Sequence, residues 1–186
     1  LFQRTMTVEG QEENTPADDD FLVYPTQMIL KPGEVQSVRV KWLGTPNPEQ
    51  ELAYRILAEQ LPINLTKEKQ TGAKINLVVR YLGSIYIVPK GAEAKVEIAS
   101  ISPSPGPDGE RQMTIIFQNQ GNAHAILRDL QLILRSGGKT VEFRGDHLKG
   151  ITGENILAGA TRRFVLPWPP ELPEGKIEAE LDFHRR

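Results

Sequence analysis

The sequence predicts an all-β protein built from two β-sandwiches, and three observations carry that prediction. Apolar and polar residues alternate with a period of two in several short runs, such as Val38, Val40 and Trp42 against Arg39 and Lys41. Sixteen glycines and fourteen prolines are spread along all 186 residues, as turns between many short strands require. No segment shows a sustained helical period bounded by caps.

The elements follow in chain order. Residues 1–8 are strand-like and open abruptly, with no initiator Met and no signal peptide, which reads as a fragment or a processed product. Residues 10–20 are polar, with Asn14-Thr15-Pro16 and Asp18-Asp19-Asp20, and are expected to be a solvated loop. The three aspartates lack the spaced ligands and turn glycine of a calcium loop. Residues 21–30 are strand-like, interrupted at Pro25, and Lys31-Pro32-Gly33-Glu34 is a strong turn. The strand around Val38–Trp42 comes next, then a proline-rich turn over 44–50. Residues 52–61 carry helix formers, yet Leu52, Tyr54, Ile56 and Ala58 alternate with Arg55 and Glu59, so a strand is predicted, closed by Pro62. Residues 66–72 form a charged loop.

Residues 74–89 are the most informative stretch. Ile75, Leu77, Val79 and Tyr81 alternate with Lys74, Asn76, Val78 and Arg80, and a second β-branched and aromatic run, 85–88, leads into Pro89. A continuous strand of this length would span about 45 Å, against a usual strand length of roughly 17–20 Å. Such a strand either bends between sheets or projects beyond its neighbours. A projecting apolar edge invites pairing, so it is expected to hold a partner.

Pro89-Lys90-Gly91 is predicted to be a hinge (89–91) between a first domain, 1–88, and a second, 92–186. Strands are expected over 95–101, 113–118, 130–134, 139–143, 156–157, 163–166 and 177–183, with turns at 103–109, 119–122 and 136–138. Halves of about 90 and about 95 residues each match an immunoglobulin-like β-sandwich. No sequence repeat links them.

Composition excludes several function classes. Apolar residues make up 39% and charged residues 25%, and the net charge of −2 gives no argument for nucleic acid or an anionic membrane. No apolar run approaches the ~20 residues of a membrane span. The absence of cysteine removes disulfides and thiolate chemistry and is compatible with the cytosol or with export.

The chemical motifs are equally sparse. His124, His147 and His184 lie far apart with no metal-ligand spacing and read as ordinary surface or turn histidines. Ser136-Gly137-Gly138-Lys139-Thr140 resembles the end of a phosphate loop, but the required first glycine falls at Ile133, and the context is a hairpin. Glu178 and Glu180 share a strand face without pocket residues around them. Asn64-Leu65-Thr66 is a glycosylation sequon that has meaning only in a eukaryotic secretory pathway. Trp42 and Trp168 are assigned to packing. Arg80, inside the most apolar strand, is either a solvent-facing strand arginine or an anchor for a carboxylate, and Arg55 could point toward the same groove. The residues offer no enzyme, no cofactor and no metal site.

Several motifs together resemble the periplasmic pilus-assembly chaperones, the PapD-like family. They run through Leu22-Val23-Tyr24-Pro25, Leu30-Lys31-Pro32-Gly33-Glu34, Tyr54-Arg55-Ile56, Gln60-Leu61-Pro62, the alternating strand with its closing Pro89, and Asn119-Gln120-Gly121-Asn122-Ala123-His124. Tyr81, Gly83, Ser84, Tyr86 and the Pro-Lys-Gly hinge resemble the archaic or alternative branch. The resemblance implies two immunoglobulin-like domains in a boomerang, in the periplasm of a Gram-negative bacterium. It implies capture of one pilus subunit at a time by donor-strand complementation and delivery to an outer-membrane usher, without nucleotide. Ile75, Leu77, Val79 and Tyr81 match the donated positions, and basic residues hold the subunit's terminal carboxylate. Family members carry about 30 further residues first, comprising two opening strands and one basic residue. The lysine that the P-pilus branch places before its closing proline is Ser84 here, so Arg80 and Arg55 are the substitutes. Self-association through the exposed strand is open, as is a structural or adhesive immunoglobulin-like surface role in which the long strand is merely internal.

Overall fold

The computed structural model describes residues 1–61, 77–107, 109–173 and 175–184. The described chain is all-β, with only two short 3-10 turns, Asp18–Asp20 and Gly145–Leu148. It divides into two compact units: Leu1–Arg4, Asn14–Gly44 and Ala53–Tyr86 form the first, and Thr5–Glu13, Thr45–Leu52 and Ile87–Arg186 the second.

The first unit holds β3 (Phe21–Tyr24), β4 (Arg39–Trp42) and the greater part of β1 (Phe2–Met6), β2 (Glu12–Pro16), β5 (Leu52–Glu59) and β6 (Arg80–Ile87). One sheet has the order β2-β1-β5-β6, and β3 pairs with β4 in another. An aromatic trio fills the interior. Phe21 meets Tyr54 edge-on at 4.9 Å between centroids and Trp42 at 5.0 Å, and Trp42 lies 5.5 Å from Tyr54. Such pairs contribute about 0.5–1.5 kcal/mol beyond their area. Tyr54 is 2% exposed, and its hydroxyl donates to Asp20 Oδ2 at 2.9 Å. Burial, then the Asp20 hydrogen bond and charge, push the Tyr54 phenol well above its ordinary pKa.

Two expectations change here. Residues 10–20, expected as a loop, contain β2, because the Thr7–Gln11 turn folds the chain back. Thr7 N–H donates to Gln11 O at 2.9 Å, Gly10 N–H to Thr7 O at 3.0 Å, and Gly10 takes φ 89°. A strand at a sheet edge with both faces solvated needs no apolar alternation, so periodicity could not reveal it. The continuous strand expected from residue 74 is the second change: β6 begins at Arg80, and residues 77–79 lie outside it.

The second unit holds β7 (Val96–Pro105), β8 (Arg111–Asn119), β9 (Ala125–Ile126), β10 (Arg128–Ser136), β11 (Lys139–Phe143), β12 (Asn155–Ile156), β13 (Thr161–Pro167) and β14 (Glu178–His184). Sheets ordered β13-β8-β7 and β11-β10-β14 contribute to one core, with β12 and β9 paired beside them. Alternation on β8 buries Met113, Ile115 and Phe117, and on β10 it buries Leu130, Leu132 and Leu134. Asn119, fully buried, organises the following turn. Its amide donates to Ala123 O, Ile156 O and Leu157 O, and its oxygen accepts from Lys95 N–H and Gly121 N–H. Gly121 is required there, since a Cβ would stand 2.2 Å from Glu93 O.

Candidate functional site

The two edges of the β2-β1-β5-β6 sheet are chemically opposite. β2 reads Glu-Glu-Asn-Thr-Pro, with charges and a proline that discourage further pairing. β6 carries a single charge, Arg80, at its leading end, followed by exposed apolar side chains. Tyr81 is 70% exposed and Leu82 53%, so neither face is covered there, and the preceding Leu77 is 78% exposed. Among the described residues, β6 has one sheet neighbour, β5. Just ahead of it, Gln60 N–H donates to Val79 O at 3.0 Å.

Cross-strand contacts fix which side chains share a face. Arg80 Nη2 pairs with Glu59 Oε1 at 2.9 Å, and Arg55 Nη1 donates to Ser84 Oγ. Residue numbers fall on β5 as they rise on β6, so the pair is antiparallel, with Glu59 facing Arg80 and Arg55 facing Ser84. By the same register Ala53 faces Tyr86. On the other side of β5, Phe2 faces Arg55 and Gln3 faces Tyr54, which sets Arg4 opposite Ala53. Residues two apart share a face, so Glu59–Arg80, Arg55–Ser84 and Arg4–Tyr86 form three rungs on one side of the sheet. Arg80 and Ser84 are about 13 Å apart along the strand.

The third rung spans three strands. Arg4, 6% exposed, donates from Nη1 to the Tyr86 hydroxyl at 3.1 Å. It crosses Ala53, whose single methyl leaves room for the guanidinium. Sequence reasoning misses Arg4, although a charge in register with Phe2 and Met6 on a strand-like run is the same signal that marks Arg80.

The remaining predicted positions are placed as follows. Leu77 and Val79 precede β6, Tyr81 lies within it, and Ile75 falls outside the described residues, as do the 66–72 loop and the Asn64 sequon. Arg80 is at the surface with its side chain 67% exposed, and Arg55 is half-buried on the same face. His124 and His147 have separate partners: His124 Nδ1 lies 2.6 Å from the buried Glu51 Oε1, and His147 packs beside Phe143. No group of metal-ligating side chains forms among the described residues. Among them, no helix is long and apolar enough to cross a membrane. Glu180 pairs with Arg135 at the surface, and Glu178 lies 3.8 Å from Lys176.

No protein-family model and no curated protein matches the sequence. The fold is similar to that of a class 5 fimbriae chaperone, CfaA, with TM-score 0.57 and 16% identity over 98% of this chain and 83% of that one. It is similar also to a chain from a chaperone–tip adhesin complex of CFA/I fimbriae biogenesis, with TM-score 0.57 and 17% identity over 97% and 81%. The all-β chain therefore has the fold of the fimbrial chaperones.

Proposed function

We propose that this protein is a non-catalytic, ATP-independent periplasmic chaperone that holds pilus subunits by donor-strand complementation and passes them to an outer-membrane usher. The observation that carries the proposal is the contrast between the protected β2 edge and the open, apolar β6 edge. A protein that shields one edge and leaves the other apolar keeps the second for a partner. The fold likeness to fimbrial chaperones supports the same reading.

In this mechanism residues 77–79 join the strand when a subunit's groove supplies a second backbone ladder. Ile75, Leu77, Val79 and Tyr81 insert into that groove, each fully buried side chain contributing about 1.5–3 kcal/mol before the costs of association. Backbone pairing supplies affinity, and the period-two side chains supply register. Arg80 and Arg55, on one face of β5–β6, hold the subunit's terminal carboxylate. Release comes from exchange with the next subunit at the usher.

The test is co-expression with pilins encoded beside this gene, followed by pull-down. Wild type is expected to retain a subunit, and the triple variant Ile75→Asp, Leu77→Asp, Val79→Asp to lose it. Undiminished capture by the triple variant would refute the donor-strand mechanism. Failure of the wild type to capture any such subunit would favour a structural surface role.

A further inference from the structure

Arg80 already holds a carboxylate. Glu59 Oε1 sits 2.9 Å from Arg80 Nη2, with the arginine side chain 67% exposed and the glutamate 34%. The pair lies at the leading end of β6, next to the backbone bond from Gln60 N–H to Val79 O. Only one glutamate oxygen and one guanidinium nitrogen meet in this contact, whereas a chain-terminal carboxylate can take two parallel donors.

We infer that Glu59 is an internal stand-in for the partner's carboxylate, occupying Arg80 in the free protein and displaced from it on capture. This rests on the donor-strand reading above, and on its assignment of Arg80 as an anchor. The physical case is the exchangeability of the pair. An exposed ion pair contributes little in water, so a better-placed carboxylate can replace Glu59. While it persists, the pair occupies Nη2 of Arg80 and fastens the leading end of β6 to β5. Glu59 thus lowers affinity for carboxylate-bearing chain ends and makes release easier.

The chemistry can be read without a subunit. Sodium acetate is titrated into wild type, Glu59→Gln, and the double variant Glu59→Gln/Arg80→Gln, with acetamide as the neutral control, while the Arg80 Nε–Hε NMR signal and the Gln60 amide are followed. Acetate is expected to shift the Arg80 signal more in Glu59→Gln than in wild type, and acetamide not to shift it. In the double variant the Gln60 amide should lose its acetate response. Equal acetate responses in wild type and Glu59→Gln would overturn the inference.

In the pull-down, Glu59→Gln is expected to strengthen subunit binding by up to about fivefold, the range of an exposed pair. The Arg80→Gln background should abolish that gain. Unchanged subunit affinity in Glu59→Gln would also overturn the inference, leaving the chaperone reading intact. If wild type captures no subunit, the chaperone reading fails, and the acetate titration alone decides whether Glu59 blocks Arg80.

Discussion

Replacing Tyr54 by Phe isolates one hydrogen bond beneath the candidate site. Tyr54 lies on β5, the strand that supports β6, on the face opposite the three rungs. Its ring is held by Phe21 and Trp42, and its hydroxyl donates to Asp20 Oδ2 at 2.9 Å. The substitution keeps the ring and removes only the bond to a charged acceptor, which should cost about 1.5–3 kcal/mol at neutral pH. The raised phenol pKa adds a signature in pH. Above the unfolded value near 10, the unfolded chain loses this proton while the folded chain keeps it, so stability falls as pH rises. For a phenol protonated throughout in the folded state, the loss reaches about 1.4 kcal/mol by pH 11. The phenylalanine variant carries no such proton, so the gap between wild type and Tyr54→Phe should narrow by that amount between pH 8 and pH 11. Urea denaturation followed by Trp42 fluorescence in a Trp168→Phe background measures it, since Trp42 stands 5.5 Å from Tyr54. A stability gap that is absent at pH 7, or that stays constant to pH 11, would refute the argument.

Ala53→Leu should destabilise the first unit by about 1–3 kcal/mol through overpacking, and should separate Arg4 from Tyr86. Its urea midpoint and the Tyr86 ring signals by NMR check this, and an unchanged midpoint would show that Arg4 has room to spare. In the second unit, His124→Leu removes the imidazole from the buried Glu51 carboxylate. The expected cost is up to about 3 kcal/mol, at the low end for a broken buried pair because the residue 124 N–H, 3.3 Å from Glu51 Oε1, can still donate to it. The double variant Glu51→Leu/His124→Leu should recover much of that loss, and a double-mutant cycle by chemical denaturation measures the coupling.

Much of the fold is legible because its strands obey the period-two rule against a real core. The alternation on 113–118 and 130–134 can be read directly, since Met113, Ile115, Phe117, Leu132 and Leu134 are all fully buried. Where a strand is solvated on both faces the rule is silent, and β2 reads as a loop for that reason. The opposite mismatch occurs at residues 77–79, where alternation is present but the chain lies outside the strand that begins at Arg80. Alternation records which side chains a segment can bury. It does not say whether the surface that buries them belongs to the same molecule.

The site is legible only in its linear part. Tyr81, Arg80 and Leu77 stand out because they are neighbours in one unusual run, and Arg55 because its own segment alternates. The rungs depend on register, which sequence spacing cannot supply: a slip of one residue between β5 and β6 would turn Ser84 away from Arg55 and Arg80 away from Glu59. Arg4 is harder still. Its contact with Tyr86 requires β1 and β6 to flank β5 and requires residue 53 to be small, so it belongs to three strands at once. Ala53 is the informative residue in retrospect. A buried alanine between two long polar side chains marks the place where one must pass over it to reach the other, and that passage draws a guanidinium against the trailing half of the strand whose leading half is open.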